Sequence, residues 1–253
     1  MDWITHAGTG FFFGQLALKP EERPQRAGWW WVLASISPDW LEFLTRWFGD
    51  IHRGVTHSLY MWPLLALGWA AVAKRWGGAA ATPFKKLWSV FFIVIGSHLL
   101  LDVLMSYRLY LAWPFAETRW AWGIMPLYDI YIYGAWLLLL GMHHWRKLAS
   151  VQTAKVGLAI FMIAVSIRAA GKIRAHALAD NLMTDGTRIV DVRTRPTYYE
   201  PWIWFARASE ATPDWTPINV ITGQIIPFDQ TIEPWFPPIP GRSHVRRPRG
   251  SGG

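Results

Sequence analysis

Ser97-His98-Leu99-Leu100-Leu101-Asp102 places a histidine and a carboxylate four residues apart inside an apolar run from about Leu87 to Met105. Four residues is a little over one helical turn, so both side chains lie on one face, one above the other. An imidazole and a carboxylate are costly in a hydrocarbon setting and persist there only with a partner. Either they satisfy each other, as a core histidine bonded to a helical aspartate, or they share a metal ion.

The rest of the chain carries this apolar character outward. Of 253 residues, 52% are hydrophobic, 17% are charged and 19 are tryptophan. That profile is too apolar and too aromatic for an ordinary soluble domain. Trp29-Trp30-Trp31, Trp113, Trp120 and Trp122 flank apolar runs, as rings at a membrane–water boundary do. The absence of cysteine excludes disulfides, thiolate ligands and a cysteine nucleophile. Any metal must therefore use histidine and carboxylate. The net charge of +8 comes from Lys and Arg gathered in loops beside the apolar runs, which suits anionic lipid and argues against nucleic acid. Met1-Asp2-Trp3 lacks the basic start of a cleaved signal peptide. These features describe an all-α polytopic membrane helical bundle.

In order, the apolar runs are 7–18, 28–44, 57–73, 87–105, 124–142 and 156–170. The first two are short for a span of about 20 residues, and one or both are expected to be buried or re-entrant. Pro38 is expected to end or kink the second near Ser37, and Pro63 to kink the third. The last has only 12 residues between Lys155 and Arg168 and needs snorkelling ends to cross. Loops 74–86 and 143–155 carry four and three Lys or Arg, against two each in 44–56 and 106–123. The more basic pair is therefore expected to be cytoplasmic. Beyond residue 171 the pattern alternates. Residues 187–193, 197–208 and 218–226 are strand candidates, with turns at Asp185-Gly186 and Gly223. The expected division is a membrane helical domain over 1–170, a small C-terminal β appendage over 171–240 outside the bilayer, and a disordered basic tail over 241–253.

On this map His6, Asp39, His52, His57, His98, Asp102 and Asp129 all fall in the non-cytoplasmic half of the membrane. They played no part in orienting the chain. Each has a plainer role available: His6 as a surface residue, Asp39 or Asp129 as a helix cap, Thr56 as the N-cap of the third helix. His52 and His57 are five apart and share a site only if the chain turns at Gly54. Together, four histidines and three aspartates can supply the ligands of one zinc, or of two metals sharing a carboxylate.

Thr5-His6, Pro38-Asp39, His52-Arg53-Gly54-Val55-Thr56-His57-Ser58 and Ser97-His98-Leu99-Leu100-Leu101-Asp102 resemble, in that order, the blocks of the YdjM-type family of inner-membrane proteins. Met105-Ser106-Tyr107, Trp113-Pro114-Phe115 and Asp129 resemble its later blocks, so the likeness covers roughly residues 1–170. Leu41 stands where the family often has a second acid, leaving Glu42 nearby, and Arg108 replaces a usual glycine. The resemblance implies a metal-dependent hydrolase in a bacterial inner membrane. A more distant likeness, to helical zinc-dependent phospholipase C proteins, implies phosphoester chemistry by analogy.

The expected function is thus a multi-pass, membrane-bound hydrolase of a lipid or other phosphoester, with one to three divalent ions, zinc foremost. Its active site and appendage would lie on the non-cytoplasmic side. His98, Asp102, His57, Asp39 and His52 would bind the metal, with His6 and Asp129 completing a second site. Arg53 would hold a phosphoryl oxygen, and Asp129 or Glu42 would act as general base. The alternatives are an ion or proton transporter using the same groups as a relay, and a non-catalytic membrane scaffold whose appendage binds a partner. Oligomeric state is not encoded in any motif.

Overall fold

The computed structural model describes residues 3–45, 54–105, 109–146, 150–182, 193–197, 200–207 and 216–224. Among these it is mostly helical: α1 (Trp3–Ala17), α2 (Ala27–Thr45), α3 (Met61–Trp76), α4 (Phe84–Leu104), α5 (Ile130–Arg146) and α6 (Ser150–Leu182). Three short strands follow, β1 (Arg193–Pro196), β2 (Ile203–Arg207) and β3 (Thr216–Asn219). By length and apolarity, α4 and residues 150–179 of α6 could each cross a membrane.

Pro38 does not end the helix at Ser37, because α2 continues through it to Thr45. A proline removes the amide that would bond the carbonyl four residues back, here that of Ala34. The Ser37 hydroxyl takes that carbonyl instead, at 2.7 Å, and accepts the Trp69 indole N–H at 2.9 Å. Pro63 falls in the first turn of α3, where amides lack intrahelical partners anyway, so its missing N–H costs little. Nor is α6 a marginal span. It begins at Ser150 and continues for 33 residues, past the expected boundary at 170. The run 124–142 is helical only from Ile130, since Ile124 and Met125 bond the Leu104 carbonyl in extended form.

Close approach of α1 and α2 fixes the first functional residue. An added Cβ on Gly10 would lie 2.2 Å from Ser35 Cβ, and one on Gly14 would lie 2.3 Å from the Trp31 ring. Only glycine at these two positions lets the helices meet, as in small-residue membrane interfaces. Trp31 then packs with Phe91 of α4 and Leu87, Val94 and Ile95 in one buried core. Phe12, Leu101, Leu104, Trp136 and Phe161 form a second. Helix α4 runs through both, and His98 lies between them.

The strands form one antiparallel sheet in the order β1-β2-β3, with Thr194 opposite Ala206 and Trp204 opposite Ile218. Gly171, Ala175 and Ala179 recur every fourth residue on α6, a small-residue stripe against which Trp204, Val220, Ala206 and Ile218 pack. Among the described residues, the expected strand 197–208 is realised over 203–207. Before it, the Thr197 hydroxyl accepts the Glu200 amide and makes a turn. The expected strand 218–226 stops at Asn219, whose side-chain oxygen accepts the amides of Ile221 and Thr222, with Gly223 at φ 75°. Of the expected strand 187–193, only Arg193 lies within the described residues, and the basic tail lies outside them.

Candidate metal centre

Three segments deliver the site. Asp39 lies on α2 one residue after the proline that the helix absorbs. Glu42, three residues on, lies on the same face. His98 and Asp102 come from α4 at the helical spacing of four, with Nε2 and Oδ2 3.6 Å apart. His57 ends a 3₁₀ turn over Val55–His57, which follows Gly54 and precedes α3. Thr56 does not cap α3, because its hydroxyl lies 2.9 Å from His57 Nδ1. The Ser58 hydroxyl accepts the Met61 amide at 3.2 Å in its place.

The four side chains converge on one point. His57 Nε2 lies 3.2 Å from His98 Nε2, 3.3 Å from Asp39 Oδ1 and 3.4 Å from Asp102 Oδ2. His98 Nε2 lies 3.7 Å from Asp39 Oδ1. One ligand atom from each of the four falls within 4.8 Å of all the others. Zinc–nitrogen and zinc–oxygen bonds of about 2.0–2.1 Å put the corners of a tetrahedron about 3.3 Å apart. The separations match a ligand set gathered for one small cation.

His6, in the first turn of α1, joins from the side. Its ring stacks on His98 with centroids 3.9 Å apart, and its Nε2 lies 3.2 Å from Asp102 Oδ1. The Ser35 hydroxyl donates to the His6 carbonyl at 2.6 Å and locks that turn onto α2. Asp39, His57, His98, Asp102 and His6 are all buried, none more than 3% exposed.

Two carboxylates face three imidazoles in this buried site. Burial depresses the His57 imidazole, yet Asp102 and Asp39 outweigh it and hold His57 above its ordinary value. Asp39 Oδ2, His98 Nδ1 and His6 Nδ1 have no hydrogen bond among the described residues. Buried polar atoms of this kind are normally satisfied, so a cluster of them marks a place for a positive charge. His57 Nε2 is directed at the cluster and Nδ1 lies against the Thr56 hydroxyl; in the tautomer that leaves Nε2 free to ligate, Nδ1–H would donate to that hydroxyl, an outer contact of the kind that fixes a ligating ring.

Several expected site residues have other positions. Asp129 is outside the four-residue group. Its Oδ1 accepts the amides of Tyr131 and Ile132 at the start of α5, and its Oδ2 bonds Arg168 at 3.1 Å. Glu42 is buried at the edge of the cluster, with Oε2 4.0 Å from His57 Nδ1. His52 and Arg53 lie outside the described residues. Arg168 and Thr56 were not anticipated in these roles. Arg168 is buried and also donates to the Thr197 carbonyl at 3.3 Å, tying α5, α6 and the sheet region together. Its signal was present, since a lone Arg inside an apolar run calls for a buried acid elsewhere.

A family model described as YdjM inner membrane protein matches residues 1–177, well over half of the chain, including every member of the metal-competent group. No curated protein and no solved structure matches.

Proposed function

The chain belongs to the YdjM inner membrane protein family, and from that premise we propose a multi-pass, membrane-bound, metal-dependent hydrolase acting on a lipid or another phosphoester at the bilayer surface. The observation that carries the reading is the convergence of Asp39, His57, His98 and Asp102, one ligand atom from each within 4.8 Å of the others, in a buried site. These four would hold a divalent ion, zinc before others, given an all-nitrogen-and-oxygen donor set with two imidazoles. A divalent ion there would supply Lewis acidity and would bring the pKa of a bound water down to about 7.

The protein's own groups divide the remaining work. Thr56 fixes the His57 tautomer, and the His6 ring braces His98. Glu42, at the edge of the cluster, is the candidate general base, because Asp129 is committed to Arg168 and the α5 amides. Arg53, four residues before His57, is the candidate clamp on a phosphoryl oxygen. Gathering within 4.8 Å supports a single reaction centre over a relay, whose groups should be strung across the membrane's thickness. The non-cytoplasmic siding belongs to the same proposal and rests on the distribution of Lys and Arg.

A second reading draws on the depth of burial. Four protein ligands with no exposed face also suit a closed structural ion that pins α2, the 57 turn and α4 in a non-catalytic scaffold. Hydrolysis separates the two. Purified protein, loaded with zinc or manganese, should release nitrophenol from bis-nitrophenyl phosphate or cleave a phospholipid in mixed micelles, and Arg53→Ala should abolish this while bound metal is retained. Stoichiometric metal with no turnover of either class would leave the scaffold reading standing and overturn the hydrolase.

A further inference from the structure

At the other end of α1 and α2 lies an open cavity of about 450 Å³. Gln15 lines it, nine residues after His6, so it lies roughly 13–14 Å further along the α1 axis than the metal group. Its wall also includes Arg23, Arg26, Ala27, Gly28 and Trp29.

Independent features there call for an anion. Ala27 and Gly28 begin the 19-residue α2, so their amides lie at the positive end of a long helix and have no intrahelical acceptor. Gly28 carries no side chain, and the Phe11 ring packs where a Cβ would stand. Arg23 donates to the Leu18 carbonyl, the Ser150 hydroxyl and the Gln15 carbonyl at 3.1, 2.9 and 2.6 Å, and none of these acceptors is a carboxylate. Arg26 is exposed at φ 54°, and its guanidinium makes no ion pair or hydrogen bond among the described residues. Glu22 is tied to Lys86 and so does not neutralise the pocket.

The decisive side chain is Gln15. It is only 6% exposed, and its Oε1 has no hydrogen-bond partner among the described residues. Its Nε2 lies 3.9 Å from where a Cβ on Gly28 would stand, so the amide is turned toward the start of α2. As placed, the Nε2 N–H groups face the start of α2, and no hydrogen bond among the described residues occupies them. A buried amide of that kind, beside two guanidinium groups and free helix amides, is a built donor set for tetrahedral oxyanions.

We propose that this cavity binds a phosphoryl anion, with Arg26 and the α2 amides holding its oxygens and Gln15 donating from the buried wall. The exposed Trp29 at the rim suits a phospholipid headgroup, and free phosphate offers the same chemistry.

The full chain, in nanodiscs of phosphatidylcholine, is titrated with inorganic phosphate, and in a parallel series the discs are doped with phosphatidylglycerol. Thermal melting and tryptophan fluorescence report binding. A saturable rise in melting temperature is expected in one series, and that series identifies the source as lipid or soluble. Loss of one charge-assisted contact in Arg26→Gln should weaken binding about tenfold, as should Gln15→Met, while Arg119→Gln, at an exposed site elsewhere, should not. No response in either series overturns the proposal. So does wild-type binding by Arg26→Gln, or equal weakening by Arg119→Gln, which would mark general charge attraction. Metal content is not involved, so failure here leaves the hydrolase reading untouched.

Discussion

His57 Nε2 and His98 Nε2 face each other across 3.2 Å in the buried interior. Two bare imidazole lone pairs repel at that distance, so a positive species belongs between them. A proton could serve one pair of atoms, but Asp39 and Asp102 close on the same point. A divalent ion answers all four donors at once, and the first predictions follow from that difference.

Thr56→Val removes the hydroxyl that lies 2.9 Å from His57 Nδ1 without touching a ligand. Loss of such an outer contact should weaken metal affinity about 10- to 100-fold. Competition with a calibrated chelator measures it. Unchanged affinity would mean that the Thr56 hydroxyl does not orient the ring.

The metal-free protein should respond to pH in a defined sense. Against the depressing effect of burial, Asp102 and Asp39 hold the folded His57 above its unfolded value. The stabilisation from its proton is therefore fully present below about pH 6.5 and is lost as pH rises through the raised folded value. Chelated protein should lose melting temperature from about pH 6.5 upward, and metal-loaded protein should not, because the ion replaces the proton's charge. A metal-free melting temperature that climbs over that interval contradicts the assignment.

Asp129 and Arg168 form a buried pair at 3.1 Å, away from the metal-competent group. Arg168→Met should cost about 3–5 kcal/mol by stranding the carboxylate, and Asp129→Asn should cost a comparable amount. Bound metal per folded chain should not change in either. A double-mutant cycle in detergent gives the coupling, and metal loss in Asp129→Asn would restore it to the ligand set.

How much of this was legible beforehand varies by residue. The His98 and Asp102 pairing follows from helical periodicity alone. That Asp39 and His57 would reach them depends on tertiary approach, which only the order of motifs suggested. Pro38 misleads because its effect is cancelled locally by the Ser37 hydroxyl, a compensation that propensity does not register. The length of α6 was hidden by Arg168, whose charge reads as a helix flank until Asp129 is seen beside it. Asp129 could be read equally as ligand or cap, and spacing alone does not reveal which partner it meets.

Gly10 holds His6 in place through the backbone. A methyl there would lie 2.2 Å from Ser35 Cβ, so Gly10→Ala must push α1 from α2 and strain the Ser35 bond to the His6 carbonyl. Overpacking of this kind costs about 1–3 kcal/mol. Melting temperature should fall, and metal should bind more weakly because His6 no longer braces His98. A variant with wild-type melting would show that the helices separate more easily than their packing implies.

The most direct test is metal content of purified protein by elemental analysis, repeated on His98→Ala and Asp102→Ala with folding checked by circular dichroism. The account predicts at least one divalent ion per wild-type chain and its loss from both variants. Wild-type protein that takes up no metal, or stoichiometric metal that persists in both variants, would contradict it.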